Sequence, residues 1–188
     1  MQAFTAARTV TTPDEIWLLQ HPPVYTLGLA GKAHHILGET AIPIIKTDRG
    51  GQVTYHGPGQ LVVYVMLDVK RRGFGIRELV RRLEFAVIDL LAEYAIEANG
   101  DCHAPGVYVR GKKIAALGLR IRHGATYHGI ALNVDMDLTP FSGINPCGFA
   151  GLNVTQLTEQ GISLAIDDVA DTLLPHLVRR LELSEGKT

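Results

Sequence analysis

The feature that most constrains the fold is one long amphipathic helix set between groups of strands. Apolar residues recur at spacings of three and four over residues 76–96, as they do on one face of a helix. They are Ile76, Leu79, Val80, Leu83, Ala86, Val87, Leu90 and Leu91. Charged residues, Glu84 among them, fall at the other positions and are assigned to the polar face. Asn99-Gly100 predicts the end of this helix.

The segments before this helix are typical of strands. Residues 15–20 predict a buried strand, and extended structure resumes at residues 24–27 after His21-Pro22-Pro23. Residues 42–46 predict another strand. The continuous β-branched run at residues 61–67 predicts a central strand.

The segments after the helix return to strands and close with a second helix. Residues 106–109 and 113–118 flank a predicted hairpin turn, and residues 119–122 and 128–134 continue as strands. A helix over residues 163–183 is predicted to begin at a Ser163 cap and to be kinked or divided by Pro175. A short helix is predicted at residues 2–8.

Strands that cluster without regular β-α-β alternation predict an α+β fold, a mixed, mainly antiparallel sheet flanked by helices. The chain has 188 residues, of which 46% are hydrophobic, and we expect residues 1–188 to form a single catalytic domain.

Composition excludes several classes of protein. The net charge of −1 argues against a protein that binds nucleic acid through phosphate contacts. No apolar run is long enough for a membrane span, and the N-terminus does not resemble a signal peptide. Two cysteines without a secretion signal predict reduced thiols and a cytoplasmic protein, with a Cys102–Cys147 disulfide as the alternative.

Cys147 is the candidate nucleophile. It lies in the run Ile144-Asn145-Pro146-Cys147-Gly148, where Asn, Pro and Gly favour a loop. A loop thiol with small neighbours is accessible, and a thiol whose pKa is lowered attacks as the thiolate.

Lys113 is the candidate for activating that thiol. It opens an apolar strand, where lost hydration would favour a neutral amine that acts as a base; a charged amine would instead stabilise a thiolate. An ordinary turn lysine is the alternative, and His56 or His128 could replace Lys113 as the base. No Cys-x-x-Cys or His-x-x-x-His pattern occurs, so no metal site is expected.

A glycine-rich segment over residues 49–60 is the densest loop signal. Its glycines allow a ligand to approach the backbone closely, although a hairpin with a bulge is the simpler interpretation. It matches neither a Walker loop nor a dinucleotide fingerprint. Gly129 and Ala131 alternate on one face of a later strand, where their small size would leave space for a ligand. Tight packing against a neighbouring helix is the alternative.

These motifs together resemble the lipoyl(octanoyl) transferases, the acyltransferases of lipoate biosynthesis. The resemblance is carried, in the order of the family, by residues 49–60, by Lys113-Ile114-Ala115-Ala116-Leu117-Gly118, by residues 128–133 and by Asn145-Pro146-Cys147-Gly148. The chains of that family usually carry a further strand in front, and we expect the present sequence to begin after it.

The resemblance implies the fold of biotin and lipoate-protein ligases and the transfer of an octanoyl group through a cysteine thioester. It makes Cys147 the nucleophile and Lys113 its activator, with no cofactor. The substrate-binding residues implied are Arg49, Gly50, Gly51, Gln52, Val53, Thr54, Tyr55, His56, Ala116, Leu117, Gly118, Gly129, Ile130 and Ala131.

The partners implied are octanoyl-acyl carrier protein as donor and two kinds of acceptor, the lipoyl domains of 2-oxoacid dehydrogenase complexes and the glycine cleavage H protein. We expect a monomer that binds neither membrane nor nucleic acid. The basic segment at residues 70–82 is a hypothetical docking patch for the acidic carrier protein, or a solvated helix face. The rival functions are an ATP-dependent lipoate or biotin ligase, a cysteine thioesterase, and a non-catalytic acyl-binding module.

Overall fold

The computed structural model describes residues 1–145 and 153–183. Its α-helices are α1 (Gln2–Ala6), α2 (Val69–Arg72), α3 (Ile76–Glu93) and α4 (Ile166–Arg180). Its strands are β1 (Glu15–Leu19), β2 (Val24–Leu27), β3 (Ile44–Lys46), β4 (Val53–His56), β5 (Gln60–Met66), β6 (Asn99–Gly100), β7 (Gly106–Val109), β8 (Lys112–Arg122) and β9 (Ala125–Asn133). Among the residues described, no helix is both long enough and apolar enough to cross a membrane.

The strands form two sheets. The larger has the order β1-β5-β9-β8-β7-β6, and each neighbouring pair is antiparallel. The smaller has the order β3-β2-β4, with β3 parallel and β4 antiparallel to β2. The predicted α+β class with a mainly antiparallel sheet is confirmed. The sequence pattern did not separate the smaller sheet from the larger one.

Helices α3 and α4 cover one face of the larger sheet with a continuous apolar core. Leu79 and Leu83 of α3 and Leu173 and Leu177 of α4 are fully buried against residues such as Val63 of β5. Burying a side chain of this size contributes about 1.5–3 kcal/mol, so this core dominates the stability of the fold. It also makes β5, β9 and β8 a rigid wall.

The smaller sheet has a separate core built from aromatic rings. Tyr55 makes edge contacts with Tyr25 and Phe141, at centroid distances of 5.6 and 5.5 Å. The Tyr25 hydroxyl also donates a hydrogen bond to the Pro140 carbonyl at 2.7 Å. Polar contacts therefore contribute to this layer as well as apolar burial.

Three predictions in the first half of the chain are wrong in detail. Strand β1 is half-buried because it forms one edge of the larger sheet. Helix α3 stops at Glu93, where Ala95 takes a left-handed φ of 56°, and Asn99–Gly100 pairs with β7 instead of ending the helix. Part of the predicted loop at residues 49–60 is strand β4.

The second long helix also differs from its prediction. It begins at Ile166 with Ala165 as its N-cap, so Ser163 is not the cap. Asp167 and Asp168 in the first turn complement the helix dipole there. Pro175 lies inside a single helix and does not divide it.

Candidate active site

A cavity of about 240 Å³ lies where the smaller sheet meets β5, β8 and β9 of the larger one. It is lined by twelve of the fourteen residues implied as substrate-binding: Arg49, Gly51, Gln52, Val53, Thr54, His56, Ala116, Leu117, Gly118, Gly129, Ile130 and Ala131. Ligand pockets usually hold about 300–1,000 Å³, so this cavity suits one small apolar group.

The other two residues lie outside this lining. The Tyr55 ring packs into the aromatic core, because its side chain leaves β4 on the face opposite to those of Thr54 and His56. Gly50 instead ties the loop to the larger sheet, since its N–H donates to the Leu119 carbonyl at 3.0 Å.

Several lining residues were missed at the level of sequence. They are Met1, His21, Val24, Thr26, Ile45, Thr47, Val62 and Tyr64, and His128 lines the cavity beside them. Val62 and Tyr64 alternate along β5, so the two-residue period of a strand could have placed both on one face. The others come from chain segments that only the folded topology brings together.

Arg49 holds the glycine-rich loop in place. It is 9% exposed, and its guanidinium donates to the Thr26 hydroxyl and carbonyl, to the Gly50 carbonyl and to the Gln52 carbonyl. Because these donors form hydrogen bonds within the protein, the structure supports a role for Arg49 in shaping the cavity wall. The buried charge is compensated by neutral acceptors.

Glycine is required where this loop crosses β2. A Cβ atom built on Gly28 would lie 2.4 Å from the Gly51 carbonyl oxygen and 2.8 Å from Nη1 of Arg49. Gly129 is equally constrained, because its Cβ would lie 2.1 Å from the Val63 carbonyl oxygen. Close backbone approach explains both residues.

A chain of side-chain amides fixes the tautomer of His56. Asn133 Nδ2 donates to the Thr155 carbonyl, so its Oδ1 accepts from Gln60 Nε2 at 2.9 Å. Gln60 Oε1 is then an acceptor, and the proton of His56 lies on Nδ1, 2.7 Å away. Desolvation lowers the pKa of His56 to about 4. His56 is therefore neutral at pH 7, with Nε2 unprotonated.

A second histidine in the wall is held by a carboxylate. His128 Nε2 lies 2.9 Å from Asp48 Oδ1, and the Tyr127 hydroxyl donates to Asp48 Oδ2. Burial would raise the pKa of Asp48, but hydrogen bonds from His128, Tyr127 and Gln2 lower it to about 2. Burial lowers the pKa of His128 despite this partner. A neutral His128 that donates from Nε2 fits these directions.

Lys113 is 3% exposed. Its Nζ donates to the Pro105 carbonyl at 3.2 Å and lies 5.1 Å from the centre of the Tyr108 ring. Ala116, which lines the cavity, follows three residues later on β8, or about 10 Å along a strand. The predicted burial of this lysine is confirmed.

Residues 153–155 run beside Lys113. The Lys113 N–H donates to the Asn153 carbonyl, and the Lys113 carbonyl accepts from Thr155 N–H, both at 2.9 Å. On the other side, Asn145 N–H donates to the His35 carbonyl at 2.8 Å. Cys147 itself lies outside the described residues, so its role stays a prediction.

Part of the hypothetical docking patch is engaged in ion pairs. Asp14, whose side chain is 3% exposed, pairs with Arg8, Arg71 and Arg72 at 2.6–2.8 Å. Arg82 pairs with both Glu78 and Glu182. The six basic residues of this segment are Lys70, Arg71, Arg72, Arg77, Arg81 and Arg82, and three of them are thus held in ion pairs. The sequence could not show this, because Asp14 is distant along the chain. A docking role for the segment stays a prediction.

Comparison with known proteins places this arrangement in a family. A family model described as "Lipoyl protein ligase A/B catalytic domain" matches residues 1–178. A protein of Laribacter hongkongensis named octanoyltransferase is 62% identical over 188 residues, which is 100% of this chain and 91% of that protein. An octanoyltransferase of Chromobacterium violaceum is 63% identical over 185 residues, or 98% of this chain and 89% of that protein.

Solved structures agree on the fold. A lipoate-protein ligase A bound with ATP superposes with a TM-score of 0.81 at 18% identity, covering 100% of this chain and 80% of that one. A biotin protein ligase of Aquifex aeolicus gives a TM-score of 0.60 at 17% identity, covering 84% and 70%. At such identities the likeness shows the fold alone, and it confirms the fold that the sequence resemblance implied.

Proposed function

This chain belongs to the lipoyl protein ligase A/B catalytic-domain family, and on that premise we propose that it is an octanoyltransferase acting in protein lipoylation. Full-length relatives that carry this name, at 62% and 63% identity, support the activity. The observation that supports its mechanism is a buried lysine, Lys113, which precedes cavity-lining Ala116 on β8 and whose backbone pairs with the chain from Asn153 onward.

The reaction is two acyl transfers in sequence. The Cys147 thiolate attacks the carbonyl carbon of an octanoyl thioester, the donor C–S bond breaks, and the departing thiolate takes a proton. The acceptor lysine amine then attacks the enzyme thioester, loses a proton, and expels Cys147 as thiolate. The first step exchanges thioesters of similar energy, and the amide formed in the second step drives the sequence forward.

Lys113 serves both steps in this proposal. As an ammonium it favours the Cys147 thiolate, since a neighbouring positive charge lowers the pKa of a thiol. It can also donate a proton to the departing donor thiolate and accept one from the attacking amine. Its burial and its fixed Nζ support this role, because a positioned group needs little reorganisation.

The apolar cavity is proposed to hold the octanoyl chain. Val62, Leu117 and Ile130 contribute aliphatic wall, and each CH₂ buried there is worth about 0.8 kcal/mol. The donor is proposed to be octanoyl-acyl carrier protein. The acceptors proposed are the lipoyl domains of 2-oxoacid dehydrogenases and the glycine cleavage H protein, in the cytoplasm.

The test is intact-protein mass after mixing with octanoyl-acyl carrier protein. We expect one octanoyl adduct on the unaltered protein and on Cys102→Ser, and none on Cys147→Ser. The Cys102 thiol is exposed and free, which makes it a matched control. An apo lipoyl domain should remove the adduct and become octanoylated.

Other results would favour the rival functions. Turnover by Cys147→Ser that requires ATP would indicate a ligase. Release of octanoate without acceptor modification would indicate a thioesterase, and saturable binding without any adduct would indicate a binding module.

A further inference from the structure

Glu84 is a buried carboxylate that the mechanism above does not use. The helical pattern assigned it to the polar face of α3, yet it is 7% exposed. Two glycines make room for it. A Cβ atom on Gly100 would lie 2.8 Å from Glu84 Oε2, and Gly106 presents its N–H to Glu84 Oε1 at 2.9 Å. The side chain therefore packs against backbone from β6 and the start of β7.

A single peptide group connects this carboxylate with Lys113. The N–H of Gly106 donates to Glu84, and the C=O of Pro105, which belongs to the same peptide unit, accepts from Lys113 Nζ at 3.2 Å. In a trans peptide these two groups point to opposite sides. Glu84 and Lys113 thus hold the Pro105–Gly106 peptide from its two sides.

We propose that Glu84 is a positioning residue for Lys113, acting through the Pro105–Gly106 peptide group. A carboxylate that accepts from the N–H polarises the peptide and strengthens its carbonyl as an acceptor, by about 10–30% per bond in such chains. The same negative charge favours the ammonium form of Lys113. Glu84 of α3 thus orients the Lys113 side chain and favours its charged form.

The backbone at Gly106 restricts the lysine further. A Cβ atom there would lie 2.8 Å from Lys113 Cε and 3.1 Å from Nζ, and 2.8 Å from the Ala115 carbonyl oxygen. With φ at 156°, the residue also has a conformation that favours glycine. The lysine side chain therefore lies directly against the peptide that Glu84 holds.

The charges around Glu84 agree with this coupling. Burial raises the pKa of the Glu84 carboxyl, while the Gly106 N–H and the charge of Lys113 oppose that rise. Asp101, from the segment after β6, raises it further, and Arg81, one turn before on α3, lowers it. Of these three charged groups, Lys113 has the largest effect on the pKa of Glu84. Because the interaction between two charges is mutual, Glu84 stabilises the charged form of Lys113 in turn.

The test measures the thiolate of Cys147 and rests on the proposed function. Alkylation of Cys147 by iodoacetamide is followed against pH on its peptide by mass spectrometry, so that exposed Cys102 does not interfere. In Glu84→Gln we expect the midpoint of the pH dependence of alkylation to move upward by roughly half to one pH unit. The reason is that a less stabilised ammonium on Lys113 stabilises the Cys147 thiolate less well. Octanoyl transfer at pH 7 should fall several-fold and recover at higher pH.

Two further variants separate positioning from packing. Gly100→Ala keeps the carboxylate but presses on Oε2, so the midpoint should move in the same direction by less. Glu93→Gln removes another α3 carboxylate, one that bonds His176 at 2.7 Å, and should leave the midpoint unchanged. A lower melting temperature in Glu84→Gln with an unchanged midpoint would overturn the proposal and leave Glu84 a packing residue.

Lys113→Met distinguishes this proposal from the one on which it rests. If that variant moves the midpoint and Glu84→Gln does not, only the positioning role fails. If Lys113→Met leaves the midpoint where it is, the proposed activation of Cys147 by Lys113 fails, and the positioning role fails with it.

Discussion

The two walls of the cavity are held by different forces. The larger sheet is fixed by a continuous apolar core under α3 and α4, where Leu83 and Leu173 are wholly buried. The glycine-rich wall is fixed by side-chain bonds to backbone, chiefly those of Arg49 and Gln60, in addition to the aromatic core beneath β4. Apolar burial is non-directional, whereas hydrogen bonds set orientation.

This contrast separates the two tasks of the site. Lys113 lies on the strand wall, where burial is deepest and displacement costs most. The residues proposed to contact the acyl chain come from both walls, and those of the larger sheet, such as Leu117 and Ala131, lie on its cavity-facing side. Changes in the apolar core behind the larger sheet should therefore affect stability, and changes at residues that line the cavity should affect substrate preference.

The largest effect is expected from the apolar wall. Leu83→Ala should lower the free energy of unfolding by about 2–5 kcal/mol, because a fully buried leucine is replaced by a cavity. Urea unfolding measures this, and the preference for acyl-chain length should not change. Ile76→Ala, on the same helix but 41% exposed, should cost about 0.5 kcal/mol or less. Equal losses in both variants would contradict the assignment of the core.

The next effect is a pH dependence that belongs to His56. Its pKa is about 4 in the folded chain and 6.5 in the reference state, so folding favours the neutral ring. The stability gained is complete above pH 6.5 and is lost as the pH falls towards 4, up to about 3 kcal/mol. The free energy of unfolding should vary less with pH across this window in His56→Gln than in exposed His123→Gln. Parallel curves would show that His56 is not desolvated.

A smaller loss of stability is expected from the polar wall. Arg49→Met removes the donors to Thr26, Gly50 and Gln52, leaving carbonyls without partners at about 1–3 kcal/mol. The KM for an octanoyl donor should rise, unlike in Leu83→Ala. Arg122→Met, at an exposed position, should change neither quantity. An unaltered KM in Arg49→Met would remove the distinction between the walls.

The smallest effect is a shift in the preference for acyl-chain length. Ala131→Val adds two methyl groups at a buried position in the cavity wall and should shorten the space available. Losing room for one CH₂ costs about 0.8 kcal/mol, a roughly fourfold fall in the octanoyl-to-hexanoyl ratio of kcat/KM. Competition between the two donors measures it, and hexanoyl transfer serves as the internal control. An unchanged ratio would show that the acyl chain does not bind against Ala131.

Local patterns predicted much of the fold but not its layering. The spacing of apolar residues placed α3, and the turn predicted at residues 110–112 placed the β7–β8 hairpin, because both depend on neighbours in sequence. The separation of β2, β3 and β4 into their own sheet depends on pairings between distant segments. No local period contains that information.

The same limit applies to the cavity and its surroundings. The glycine-rich motif placed most of one wall, but His21 and Thr26 reach it only through the topology. Glu84 was misassigned because a helical pattern describes one helix face and not the glycines of a neighbouring strand. Asp14 and its arginines were missed for the same reason.

The order of strands in the larger sheet has a consequence for how the chain is made. Strand β9 pairs with β5 on one side and β8 on the other, yet it is the last of the sheet's strands to be synthesised. A nascent chain that has reached only Arg122 holds β5 and β8 with unpaired edges, which are templates for aggregation. Assembly of this sheet therefore waits for residues 125–133, and chaperone protection is needed most just before they leave the ribosome.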